Sequence, residues 1–250
     1  MAEAPDGISV CRLVRLEQGA RREAIDEIPS EARVALELNG EKVAAFCCSP
    51  RDLVELGAGY LVSSGLLHAR DELHSVQVLS DCDIIIDVRA AAKPRCEKVG
   101  QGRQGLGGPG DPVFRAEALL ATMERLLARG ELFRRTGGTH FAAIIDCENC
   151  GQACEPGTFF EDIGRYNAID KAVGGAFLAG LDLHRAGLVV SCRVSSDVVR
   201  KAAGAGVALV SSRAGPTAEG VALAHEAGVT LVGFARERRM NVYTHEGRVV

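Results

Sequence analysis

Apolar residues along this chain recur with two periods, and the switches between them mark out the elements. RVALEL (33–38) and VAAFCC (43–48) read as two strands around Asn39-Gly40, a dipeptide suited to a tight hairpin turn. Pro50 then opens a helical pattern, RDLVELGAGYLVSSG, with Gly65 at its end. DIIIDV (83–88) predicts another strand, so roughly the first 90 residues read as a small α+β unit. Residues 99–110, VGQGRQGLGGPG, break the pattern with six glycines and a proline, which predicts a flexible linker or mobile loop. Beyond it, helical and strand patterns alternate. Helices are predicted over 112–130, 167–180, 195–206 (Ser-capped) and 217–228. Strands are predicted at 140–146, 187–191, 207–212 and 228–235. Such alternation predicts a largely parallel sheet covered by helices.

The 250 residues can bury a core without disulfides. A net charge of −4 gives no global basic excess, so nucleic acid is not expected as the main partner. Local basic clusters stand at Arg134-Arg135 and at Arg236 with Arg238-Arg239. The opening MAEAPDGISV makes no secretory signal, and no apolar run reaches the length of a membrane helix. The expected location is therefore cytoplasmic, with no membrane association and with the nine cysteines mostly reduced. Cys47, Cys48 and Cys82 read as ordinary packing residues.

DCENCGQAC (146–154) places Cys147, Cys150 and Cys154 at C-x2-C-x3-C spacing, compatible with a zinc or iron–sulfur site. The same sulfurs could form a redox pair or carry sulfur, and the spacing leaves those readings open. A deaminase zinc site needs H-x-E followed by P-C-x-x-C. The His-Glu neighbours here, His225-Glu226 and His245-Glu246, have the wrong spacing. His140 is expected to be a satisfied structural histidine. Ligands of open α/β sheets gather beyond the carboxyl ends of strands. CRVSSD (192–197), SSRAGPT (211–217), ARERRMN (235–241) and EDIGRYNAIDK (161–171) fall at such places. Singly they read as capped loops; together they make an anion-binding mouth.

TGGTH (136–140), EDIGRYNAIDK, CRVSSDVVRKAAGAGV (192–207), SSRAGPT and LVGFARERRMNVYTH (231–245) resemble the FdhD family of formate dehydrogenase accessory sulfurtransferases. The likeness extends more loosely into the N-terminal part. The resemblance implies an α/β fold, a cytidine-deaminase-like sheet with flanking helices, preceded by a smaller α+β domain. Its divisions are residues 1–95, a loop at 96–111 and a cofactor-binding domain over 112–250. It implies a sulfur carrier, a sulfurtransferase that takes persulfide sulfur from a cysteine desulfurase. That sulfur would pass to the molybdenum cofactor, Mo-bis-molybdopterin guanine dinucleotide, before its insertion into formate dehydrogenase, which requires it for activity.

Carried over by position, the persulfide cysteine is Cys96 in CEKVG, with Val99 in place of a second cysteine and Glu97 in place of a glycine. Arg95 and Lys98 beside it favour a thiolate, with Glu97 opposing. Cofactor contact falls on Phe234, Ala235, Arg236, Glu237, Arg238 and Arg239. Gly164, Arg165 and Asn167 support it from a helix start, with Ser195 and Ser196 across from them. Tyr166 stands where histidine is usual and Cys192 where glycine is usual. The alternative is a cofactor-binding chaperone, or a Cys-rich metal or redox module, without sulfur transfer. Oligomeric state is open, a homodimer being the default.

Overall fold

The computed structural model describes residues 7–79, 84–91, 111–146, 154 and 156–250. Cys96, Cys147, Cys150 and the glycine-rich run at 99–110 lie outside the described residues.

The chain opens with an antiparallel ribbon that the hydrophobic pattern does not predict, β1 (Ile8–Glu17) with β2 (Ala20–Pro29). It buries Ile8 and Ser9 at its base and little else, so it leaves almost no periodic signal in the sequence. Its anchor is Arg135, whose Nη2 lies 2.7 Å from Glu27 Oε1.

A four-stranded sheet follows, ordered β4-β3-β6-β5. Its strands are β3 (Ala32–Leu38), β4 (Glu41–Cys48), β5 (Leu73–Leu79) and β6 (Ile84–Ala90). The predicted β3–β4 turn forms, with Asn39 and Gly40 at φ 55° and 87°. The Asn39 amide also binds the end of β6, donating to the Ala90 carbonyl at 2.9 Å and accepting from its N–H at 3.1 Å. Helix α1 (Leu53–Ser63) covers this sheet.

The larger sheet has the order β12-β11-β10-β9-β7-β8. Its strands are β7 (His140–Asp146), β8 (Pro156–Asp162), β9 (Ala186–Val190), β10 (Leu209–Ser212), β11 (Thr230–Arg236) and β12 (Arg239–Thr244). Only β9, β10 and β11 run parallel; β7, β8 and β12 are antiparallel to their neighbours. The expectation of a largely parallel sheet is thus corrected to a mixed one. The hairpin partners β8 and β12 escaped the reading because their faces are only partly buried. The helices are α2 (Ala116–Arg129), α3 (Glu131–Thr136), α4 (Arg165–Leu178), α5 (Ser196–Gly204) and α6 (Ala218–Glu226). α2 packs on one face of the sheet, against Val189, Leu209 and Val232. α1, α4, α5 and α6 pack on the other, in one apolar core with Val190, Val210, Leu231 and the smaller sheet. No helix among the described residues is long and apolar enough to cross a membrane.

The contact of α1 with α4 joins the two sheets. A Cβ on Gly59 would lie 1.7 Å from the Asp170 carbonyl oxygen, and one on Gly174 would lie 1.9 Å from that of Glu55. Only glycine lets these backbones meet.

Candidate functional site

Strand direction gathers the polar loops at one edge of the six-stranded sheet. The carboxyl ends of β8, β9, β10 and β11 lie there, with the amino ends of the antiparallel β7 and β12. The edge therefore presents His140, Gly164-Arg165, Ser191-Cys192-Arg193, Arg213 and the turn Arg236 to Arg239. Arg165, Arg193, Arg213, Arg236, Arg238 and Arg239 are all exposed, and none is in an ion pair among the described residues. Exposed guanidiniums along one rim are suited by their chemistry to phosphate or carboxylate oxygens.

The start of α4 is anchored from below. Asp162 and Lys171 form a fully buried ion pair of 2.6 Å. Asp162 also accepts from the N–H groups of Gly164 (2.7 Å) and Ser49 (3.1 Å), and Lys171 donates to the Ser49 carbonyl at 3.2 Å. Asn167 donates to Asp162 Oδ1 at 3.0 Å and to the Cys47 carbonyl at 2.8 Å. Asn167 thus turns its amide N–H groups inward and sets the angle of the helix start. Glu161 faces the other way and accepts from the N–H groups of Leu132 (3.0 Å) and Phe133 (2.9 Å), which open α3. The sequence showed acids at a helix start; the structure gives both to the scaffold.

Arg165, next in line, is aimed by Tyr166. Its guanidinium carbon sits 4.4 Å from the Tyr166 ring centre, and its Nη2 donates to the phenol oxygen at 3.0 Å. That phenol lies 3.3 Å from Ser195 Oγ and donates to Asp197 Oδ2 at 3.3 Å. Ser195 stands at the N-cap of α5, as predicted, but its hydroxyl makes no capping bond and turns to Tyr166 instead. Ser196, the first residue of α5, is half-buried beside it.

Phe234 has φ 53°, a left-handed conformation that costs a non-glycine residue energy. Its ring packs on the backbone of Gly215, where a Cβ would lie 2.6 Å from Cζ, and Arg236 sits 5.8 Å over the ring centre. Gly215 is therefore required for Phe234 to lie flat across the loops after β10 and β11. Ala235 is fully buried and faces the core; Arg236, Glu237, Arg238 and Arg239 are exposed at the hairpin tip, with Glu237 at φ 57°. Of the predicted contact run, Ala235 is thus not brought to the mouth.

His140 is half-buried, and no hydrogen bond joins its ring to the described residues, so it is not the satisfied structural histidine expected. Burial, and then the Arg165 charge, push its pKa down, which keeps the ring neutral. Cys192 is 4% exposed, and burial raises its thiol to about 11 although Arg165 pulls the other way. Hydrogen-bond and strand geometry place these two residues at adjoining strand ends, a relation that sequence spacing could not show.

Among the described residues no group of three or more His, Cys, Asp or Glu could hold a metal ion. Cys154 is fully buried and disulfide-bonded; its N–H donates to Thr122 Oγ1 at 2.8 Å.

Comparison with known proteins gives consistent matches. The profile described as FdhD/NarQ family matches residues 29–250. "Sulfur carrier protein FdhD" of Methanothermobacter thermautotrophicus is 30% identical over 240 residues, covering 92% of this chain and 94% of that one. The protein of the same description from Wolinella succinogenes is 35% identical over 253 residues, covering 93% and 86%. A crystal structure of a proposed formate dehydrogenase accessory protein from Desulfotalea psychrophila superposes with TM-score 0.83 at 26% identity, covering 97% of this chain and 99% of that one.

Proposed function

The chain belongs to the FdhD/NarQ family, and from that premise we propose that it is a sulfur carrier serving a formate dehydrogenase. The relatives named sulfur carrier proteins and the accessory-protein neighbour support the role. The observation that carries it to chemistry is the rim of six exposed arginines around one sheet edge, none in an ion pair among the described residues. Such a rim suits a polyanionic cargo, and a guanine-dinucleotide form of the molybdenum cofactor brings two pyrophosphates.

The finer reading is as follows. Cys96 takes sulfur as a persulfide from a cysteine desulfurase in the cytoplasm. Its thiolate attacks the donor's outer sulfur, and the donor leaves as a thiolate. The charged cargo, Mo-bis-molybdopterin guanine dinucleotide, is held at the mouth as substrate. Arg165, stacked on Tyr166, and the arginines at 236, 238 and 239 bind its phosphates, while Phe234 offers an aromatic face. The six-stranded sheet is read as a cytidine-deaminase-like core whose strand ends hold this cargo. Residues 1–95 and 112–250 act as its two domains on either side of the loop. A homodimer remains the default assembly for this reading.

Incubation with a cysteine desulfurase and cysteine, followed by peptide mass mapping, tests it. Cys96→Ala is expected to abolish loading from the desulfurase, and Cys147→Ala to leave it intact. Normal loading of Cys96→Ala would show that another residue is the entry point. The disulfide at Cys154 favours a second reading, a redox module on the cysteines of the 146–154 segment, over a metal site, because a disulfide sulfur is no thiolate ligand. A free-thiol count that rises by two when the purified protein is reduced would support that module, and stoichiometric zinc or iron would instead show a metal site.

A further inference from the structure

Cys192 and His140 stand at adjoining strand ends on the edge that carries the arginines, and neither has a role in the reading above. The antiparallel register of β7 with β9 includes Ala142 opposite Val190. Beyond it, Ser191 N–H donates to the Phe141 carbonyl at 3.2 Å and Phe141 N–H donates to Ser191 Oγ at 3.0 Å. The two chains thus stay side by side up to the ends where His140 and Cys192 sit. Side chains alternate along a strand, so His140 shares the face of Ala142, which is the face of the core that contains Cys192. Arg165 lies near enough to act on both. The Cys192 main chain is fixed from the next strand, its carbonyl accepting from the buried Ser212 Oγ at 2.6 Å.

Resting on the sulfur-carrier reading, we propose that Cys192 is a second sulfur-accepting thiol, placed in the cargo site itself, with His140 as its proton acceptor. The step is a transfer between a persulfide and a thiol. His140 takes the thiol proton directly or through one water, and the Cys192 thiolate attacks the outer sulfur of an incoming persulfide. The new bond joins Cys192 Sγ to that sulfur, and the donor's S–S bond breaks. The donor leaves as a thiolate, which receives the proton back from His140. No oxidant or reductant is consumed.

The surroundings fit this chemistry. A thiol that is 4% exposed and held protonated is protected from bulk oxidants until a base and a donor meet it. Burial disfavours both the thiolate and the imidazolium that this transfer creates, so the two charges form together as a pair, each stabilising the other; the His140 ring makes no other hydrogen bond among the described residues. Arg165 stabilises the thiolate that results. The transferred sulfur would then stand at the strand ends where the arginines converge, against the cargo.

Full-length protein is incubated with a cysteine desulfurase and cysteine, or with glutathione persulfide, and the added sulfur is mapped over time by peptide mass spectrometry. The expected result is one sulfur atom on the Cys192 peptide, lost in Cys192→Ser and in Cys192→Ala while other cysteines still load. His140→Gln is expected to slow the appearance of sulfur at Cys192 by about 100-fold, the scale of general-base catalysis. Thermal unfolding of each variant reports whether it is folded. Sulfur on other cysteines with Cys192 unmodified throughout would overturn the assignment and leave the carrier role standing. Sulfur on no cysteine at all would overturn both.

Discussion

His140 and Cys192 show how one environment moves two groups in opposite directions. Burial disfavours charge, so it lowers the pKa of His140 and raises that of Cys192. The stability consequences follow from linkage. The unfolded chain protonates its histidine first as pH falls, from an ordinary value of 6.5. The stability given by a neutral His140 is therefore complete above that pH and declines as the pH falls toward the folded-state value. The unfolded thiol ionises first as pH rises, from 9.0. Stability from a protonated Cys192 is therefore complete below pH 9.0 and declines as pH climbs through about 11. Urea midpoints measured from about pH 7 down to about pH 5 should fall less steeply in His140→Gln than in the unsubstituted protein. Parallel slopes would assign the acid sensitivity to other groups.

At the scale of elements, the helix pair α1 and α4 fixes where the site can be. Their backbones touch at Gly59 and Gly174, and this contact, with the Asp162–Lys171 pair, sets the direction in which α4 presents Arg165. Gly174→Ala would drive a methyl group into the Glu55 carbonyl, so the helices must separate. The expected loss is about 3 kcal/mol or more, read from the urea midpoint and slope. Unchanged stability would mean that the pair adjusts without strain. The glycines of GAGYLVSSG and AVGGAF are visible in the sequence, yet nothing there says that they meet. The buried helices and the parallel strands were legible because each buries a full apolar face. β1, β2, β5, β8 and β12 were not, because their burial is partial and their pairing is settled by neighbours distant in the chain. The same limit applies to the site. Arg165 and the turn from Arg236 to Arg239 could be read from their position after strands, whereas the inward turn of Asn167 and Ala235 depends on packing.

Across the whole molecule, a net charge of −4 coexists with a rim of six exposed arginines that form no ion pair among the described residues. The field at the mouth is then opposite in sign to that of the molecule as a whole, and it attracts an anion over roughly a Debye length of about 8 Å in physiological salt. This asymmetry separates a cargo site from a protein that is merely basic. Guanosine diphosphate, the nucleotide part of the proposed cargo, serves as a probe that carries the pyrophosphate without the metal. Its affinity should fall as salt rises. A charge-assisted bond from guanidinium to phosphate contributes about 1.5 to 3 kcal/mol, so Arg236→Ala or Arg165→Ala should weaken binding by about 10- to 100-fold. The same substitution at Arg22, on the N-terminal ribbon, should change nothing. Calorimetric titration at two salt concentrations distinguishes the cases. If all three variants bind alike, the arginine rim is only a solvated surface and the cargo must be held elsewhere. A salt-dependent loss confined to the rim variants would tie the strand ends, the aimed Arg165 and the hairpin tip into one binding surface.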